Sequence, residues 1–217
     1  MTHYLKQARD PLSSFSHMVG AWMFAIGGVL LFLKAQLTGG LEGTQTLALL
    51  SFALSTVALY SASAGYHYCT GSPERIEHLR KLDHSMIYIL IAGSYTPVVL
   101  TWLNPPKGLF FSIFIWSFAL IGILLKLVWF HAPRWLSTGL YLVMGWSILF
   151  DISAFSRMPV GALVLTALGG LCYTAGGVIY AIKKPNFPEP FGFHEVFHLF
   201  VLAGSLFHYF MVLFYIA

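Results

Sequence analysis

Charge is what this sequence has least of. Asp, Glu, Lys and Arg make up 9% of its 217 residues, where a soluble domain carries about 25%. Mean hydropathy is +0.75 and 58% of residues are hydrophobic, which excludes an ordinary soluble domain. Cysteine is scarce. Cys69 and Cys172 stand alone, and their spacing supplies neither a disulfide framework nor a Cys-based metal or redox motif. The basic residues are scattered between apolar runs and form no tract, so nucleic-acid binding has no support. Residues 1–16 lack the apolar core and small-residue cleavage site of a secretory signal, and the first apolar span is expected to serve as the insertion signal.

Long apolar runs are what the chain has most of. Roughly 20 residues of helix cross the hydrocarbon core, and the sequence offers seven such stretches, at about 17–37, 44–68, 83–103, 108–130, 133–153, 159–182 and 194–215. The expectation is an all-α protein, a single seven-transmembrane helix bundle over 1–217. A short turn, 38–43, follows the first span. Pro105-Pro106 separates the third and fourth, and the proline-rich loop 185–193 cannot be helical throughout. The most charged stretch, 69–82, reads as a loop with a short interfacial helix after Pro73. Asp151 closes the fifth span, with Arg157 available to pair with it. Gly169-Gly170 and Gly176-Gly177 permit close helix contact.

Seven spans put the chain ends on opposite sides. Lys6, Arg9, Arg75, Arg80, Lys81, Lys126, Arg134, Lys183 and Lys184 fall on the N-terminal side, against Lys34, Lys107 and Arg157 on the other. The excess of basic residues places the N-terminus in the cytoplasm and the C-terminus outside.

Ionisable residues within spans are expensive and point to function. His194 and His198 open the last span four residues apart, on one helical face. His67 ends the second span and Asp83 opens the third, all on the cytoplasmic side. Three histidine nitrogens with an open fourth position make a catalytic type of zinc site. His67, His194 and His198 are therefore the candidate zinc ligands. Zinc lowers the pKa of a bound water to about 7. Asp83 is then either the base that takes the water proton or a ligand at one remove through water. Ser63, one turn before His67, can orient the water or donate to an oxyanion. Taken singly, each of these residues also suits a helix end bonded to water and backbone. His194-Glu195-x-x-His198 further matches the zincin pattern, with Glu195 as the competing base.

On these residues the chain resembles a known family, the bacterial hemolysin III-like membrane proteins, related to the progestin and adiponectin receptor (PAQR) family and, more widely, to alkaline ceramidases. The matching pieces are Ser63-x-x-x-His67, Lys81-Leu82-Asp83, His194-x-x-x-His198 with Phe207-His208-Tyr209, and, for the bacterial branch, Arg9-Asp10-Pro11 and Ser16-His17-x-x-Gly20. The resemblance implies an intramembrane zinc site near the cytoplasmic face, made by Ser63, Asp83, His67, His194 and His198, in a multi-pass protein of the bacterial cell membrane.

Of the remaining histidines, His17 reads as a support for the site or as a cap. His208, about 15 Å further along its helix than His198, is too far for the same metal. His84 is expected to point elsewhere, and His78 and His131 to lie in loops. Three functions remain open: a zinc-dependent hydrolase of a membrane lipid amide or ester; a pore-forming, cytolytic or membrane-stress regulatory protein with structural zinc; and an intramembrane metalloprotease using Glu195.

Overall fold

In hydrocarbon every backbone N–H and C=O must be satisfied internally, and these apolar stretches accordingly fold as helices. The computed structural model describes residues 2–39, 43–129, 131–187 and 191–217. Parts of the expected 38–43 turn and of the 185–193 loop therefore lie outside the described residues. The elements are α1 (Thr2–Gln7), α2 (Pro11–Thr38), α3 (Gly43–Tyr68), α4 (Pro73–Trp102), α5 (Lys107–Val128), α6 (Arg134–Gly145), α7 (Val160–Ile182) and α8 (Phe193–Tyr215), with 3-10 turns at Ser147–Phe150 and Ile152–Ala154. Among the described residues, six helices (α2, α3, α4, α5, α7 and α8) are long and apolar enough to cross a membrane. With α6 they form a seven-helix bundle. Its outward faces carry residues such as Trp22, Ile26, Leu54, Phe110 and Leu124.

Two expectations need correction. The 69–82 stretch is not a loop with a separate interfacial helix, because α4 runs unbroken from Pro73. Ser72 caps it by accepting the Arg75 N–H at 3.4 Å, and Pro73 takes the first helical position, where no N–H is needed. Nothing between 73 and 83 breaks the helix, and Glu77 and Lys81 pair across one turn at 2.8 Å. Asp83 therefore lies well inside α4.

The fifth span is not one helix. α6 is about 18 Å long, short of the roughly 30 Å core. Two 3-10 turns, Ser147–Phe150 and Ile152–Ala154, follow it in place of further α-helix. The break is held by one hydroxyl: Tyr95 Oη donates to Gly145 C=O at 2.7 Å and accepts the Ile148 N–H at 3.0 Å. At the end of this segment Asp151 pairs with Lys107 at 2.5 Å, and Arg157 instead donates to Asn104. The partly buried Asp151 carboxyl is held below its ordinary value, chiefly by the Lys107 bond.

The helices close into a ring. α2 packs on α3, α3 on α4, α4 on α5 and α6, α6 on α7, α7 on α8, and α8 back on α2. The α7–α8 crossing is close because glycine faces glycine. A Cβ on Gly169 would lie 3.1 Å from Gly204 O, and one on Gly204 would lie 3.1 Å from Gly169 O and 2.6 Å from the Tyr173 ring. Lys34 binds the carbonyls of Leu213 and Ala217 at 2.6 and 2.7 Å, which ties the far end of α2 to the C-terminus.

Tyr95→Phe removes the hydroxyl that serves both sides of the α6 break. Each stranded backbone group costs about 1–3 kcal/mol. The expected result is a lower thermal midpoint of the detergent-purified protein; an unchanged midpoint would mean that packing alone holds the break.

Candidate metal centre

The centre lies at the end of the bundle that carries the N-terminus, the α3–α4 connection and the start of α8. His67 sits in the last turn of α3. The chain before α2 is bonded across it, with Asp10 N–H donating to His67 C=O at 2.9 Å and Arg9 N–H to Tyr68 C=O at 3.4 Å. Asp10 occupies the cap position of α2 but makes no side-chain cap bond. Its carboxylate turns instead to His67 Nδ1 at 2.9 Å. Arg9 holds the same oxygen through Nε and Nη2 at 3.1 and 3.0 Å. The His67 bond, with Arg9 adding to it, holds the Asp10 carboxyl below its ordinary value against the opposing effect of burial. An ionised carboxylate can only accept, so Nδ1 carries the proton and Nε2 presents a lone pair.

That Nε2 lies 3.3 Å from His194 Nε2. His194 and His198 extend from the first turns of α8. One nitrogen from each of His67, His194 and His198 falls within 4.8 Å of the others. His67 and His198 are each only 2% exposed, and His198 Nδ1 is buried without a hydrogen-bond partner. In a tetrahedral site with metal–nitrogen distances of about 2.0–2.1 Å, neighbouring ligand nitrogens stand roughly 3.3 Å apart. The donor set thus fits a metal ion: three nitrogens converge, one has its tautomer set from behind, and no carboxylate of the described residues joins the group.

Asp83 is buried beside Ser63 and within electrostatic reach of His67. Both Asp83 and Ser63 line the same cavity as His194 and His198. Glu195 is turned away from the three nitrogens. One of its oxygens accepts from Ser13 Oγ and the other from Gly192 N–H, each at 2.9 Å, so it stitches the start of α8 to α2. His17 stacks on His198, with centroids 3.8 Å apart and planes at 20°, and meets the Tyr60 ring edge-on. Its nitrogens have no hydrogen-bond partner, and its packing holds the His198 ring.

His84 departs from expectation, because it lines the same cavity as Asp83; His131 lies in the α5–α6 connection as expected and lines that cavity too. His78, expected in a loop, lies instead in α4, where its ring bonds Glu74 C=O on the surface. His208 bonds Gly204 C=O at 2.9 Å and faces the cavity farther along α8. The cavity has a volume of about 690 Å³ and continues past the centre between α4, α6, α7 and α8. The functional residue that sequence reasoning missed is Asp10. Arg9-Asp10-Pro11 reads locally as a helix start, and nothing in it signals a partner 57 positions away.

The chain matches the Haemolysin-III related family over residues 5–209. It is 38% identical over 165 residues to the Hemolysin-3 homolog of Bacillus subtilis (strain 168), covering 76% of this chain and 75% of that protein. To Hemolysin-3 of Bacillus cereus it is 32% identical over 217 residues, covering 100% and 94%. To the adiponectin receptor protein of Drosophila melanogaster it is 28% identical over 222 residues, covering 90% of this chain and 48% of that one.

Metal affinity tests the centre. Alanine at His67, His194 or His198 should each abolish stoichiometric metal in the purified protein, read by elemental analysis. Asp10→Ala removes the support behind His67 and should weaken affinity by about 10–100-fold in a chelator competition. Glu195→Gln should leave affinity unchanged; a loss matching that of His194→Ala would place Glu195 at the metal.

Proposed function

The chain belongs to the haemolysin-III related family, and from that premise we propose that it is a zinc-dependent hydrolase of a lipid amide or ester. It is a multi-pass protein of the bacterial plasma membrane. The observation that carries the reading is that His194, His198, Asp83 and Ser63 share one largely apolar cavity, with His67 Nε2 3.3 Å from His194 Nε2. That cavity reaches lipid-facing side chains: Trp146, Leu149 and Leu171 both line it and are exposed on the outer surface. An acyl chain can enter there sideways from the bilayer.

His67, His194 and His198 hold the zinc, an assignment supported by an all-imidazole donor set of borderline softness. When bound, zinc supplies a Lewis acid and a water with a pKa of about 7. Asp83 accepts the proton of the attacking water and passes it to the leaving amine or alcohol. Ser63 donates to the developing oxyanion. The apolar walls keep bulk water away and hold the acyl chain, so that the carbonyl stays beside Asp83 and Ser63. Among lipid amides, a ceramide-like substrate accords with the resemblance to alkaline ceramidases. The end of the bundle that holds the centre carries nine of the twelve Lys and Arg residues, which supports a cytoplasmic centre and N-terminus and an external C-terminus.

A second reading keeps the zinc structural in a cytolytic protein, and it draws on the Bacillus cereus relative's name, Hemolysin-3. The metalloprotease reading is weakened by the engagement of both Glu195 oxygens.

Asp83→Asn should retain zinc and abolish release of lipid product, followed by mass spectrometry. Glu195→Gln should cost less than about tenfold, or 1.4 kcal/mol of barrier. A wild-type protein that releases nothing from ceramide or other membrane amides and esters would sink the hydrolase reading and leave the structural one. For sidedness, with Cys69 replaced by Ser, single cysteines at 74–80 should resist an impermeant thiol reagent applied from outside, while one added at the C-terminus should react.

A further inference from the structure

The hydrolytic chemistry occupies one end of the cavity and leaves a polar group unused along its length. His208 follows His198 by ten residues, about 15 Å along α8, and lines the same cavity while only 8% exposed. Two glycines build its seat. A Cβ on Gly169 of α7 would lie 2.2 Å from His208 Nδ1, and one on Gly204 of α8 would lie 2.6 Å from the Tyr173 ring. Each helix thus makes room for the other's ring. His208 and Tyr173 stack there, with centroids 5.4 Å apart and planes at 27°.

The partners fix where the protons lie. His208 Nδ1 bonds Gly204 C=O at 2.9 Å. A carbonyl only accepts, so Nδ1 carries the proton and Nε2 a lone pair. The charged residues of the lining, Arg80, Asp83, Lys126 and Arg134, all lie toward the metal end. An unpaired imidazolium in hydrocarbon is too costly, so the ring is neutral. Its Nε2 has no hydrogen-bond partner among the described residues. The hydroxyls that line this stretch have already spent their protons. Ser94 donates to Leu90 C=O at 2.8 Å, Thr166 to Ala162 C=O at 2.9 Å, Thr174 to Gly170 C=O at 2.7 Å and Tyr95 to Gly145 C=O at 2.7 Å. The Trp146 indole N–H is taken by Thr174 Oγ1 at 3.0 Å. Tyr173 bonds Ser205 at 2.8 Å, Ser205 bonds Tyr60 at 2.7 Å, and Tyr60 reaches Val201 C=O at 3.1 Å. That carbonyl takes the Tyr60 proton, so donation runs along the chain from Tyr173, whose lone pairs stay free. Among the described residues this stretch offers acceptors and no donor.

We infer that His208, beside Tyr173, is a subsite for a hydroxyl group on the hydrocarbon chain of the ligand, and that the protein's lipid is a long-chain acyl lipid hydroxylated far from its carbonyl. The ligand group must donate, because the wall only accepts; a ketone or an ester oxygen at this point would meet lone pairs with lone pairs. The rest of the wall suits a chain, with Leu90, Ile91, Val98 and Leu163 lining it. The depth sets the position of the hydroxyl. With the carbonyl at the level of His198, an extended chain of C–C bonds of about 1.5 Å spans the 15 Å or so to His208 in roughly twelve carbons. The inference deepens the hydrolase reading and rests on it only for that register, the carbonyl at the metal end.

The test measures binding to the full-length, zinc-loaded protein in detergent by native mass spectrometry. The probes are free acids, which a hydrolase does not consume: 12-hydroxystearic, 12-oxostearic and 7-hydroxystearic acid, each in competition with stearic acid. The 12-hydroxy acid should bind about threefold to tenfold more tightly than stearic acid. The 12-oxo acid, equally polar in position but unable to donate, should show no such preference. His208→Phe keeps a ring on Tyr173 and should abolish the preference at unchanged zinc content and unchanged binding of stearic acid. Equal binding of 12-hydroxystearic and stearic acid by wild type overturns the inference, and that comparison needs no variant to fold. A 12-oxo acid that binds as well as the 12-hydroxy acid overturns it too, as does a preference that survives His208→Phe. A 7-hydroxy acid that binds as well as the 12-hydroxy acid overturns the register. Hydroxyl preference without turnover of any lipid sinks the hydrolase alone, and turnover of lipids without hydroxyl preference sinks this inference alone.

Discussion

Within a bilayer a polar side chain must find its partner inside the protein, and the bond from His67 Nδ1 to Asp10 is where this chain meets that demand most consequentially. The bond draws in Arg9 on one side and fixes which His67 nitrogen faces His194 on the other. Without a carboxylate behind it, an imidazole at the end of α3 could present either nitrogen. With one, the ring is aimed and its lone pair is directed at the other two histidines. The backbone bonds from residues 9 and 10 to 67 and 68 make the same attachment again through the main chain.

The closure of the helical ring follows the same logic. α8 must return to α2 for His194 and His198 to meet His67, and the contacts that bring it back are polar ones buried among apolar side chains. Ser13 bonds Glu195, Tyr60 bonds Ser205 and the Val201 carbonyl, and His17 stacks on His198. In hydrocarbon there is little hydrophobic drive between helices, so packing and such hydrogen bonds select the neighbours. The facing glycines of α7 and α8 contribute the complementary element, a crossing close enough that no side chain fits between the helices.

The broken α6 leaves room in this ring. A full-length helix there would present side chains along the whole α4–α7 gap. The two 3-10 turns, pinned by Tyr95, let the cavity extend past the metal centre to Leu149 and Leu171 at the lipid-facing surface.

Much of this was legible beforehand because the bilayer restricts what a sequence can do. Apolar runs of spanning length become helices, and charged residues collect at their ends. Histidines four apart share a face, so the all-α bundle and the candidacy of His67, His194 and His198 follow from spacing and composition. What the linear pattern could not contain was pairing across distance. Asp10 looks like an ordinary helix cap until the fold brings α3 beside it, and Glu195 looks like a zincin base until Ser13 and Gly192 occupy its oxygens. His84 and Lys126 look like span-end residues until a cavity opens in front of them. Hydropathy also reads 133–153 as one span, since a 3-10 break satisfied by a hydroxyl from another helix changes no residue's hydropathy. Residue chemistry and period settled which groups can serve; only the tertiary structure decided which of them face one another, because hydrogen-bond partners in a membrane are chosen by the packing of helices and not by their order in the chain.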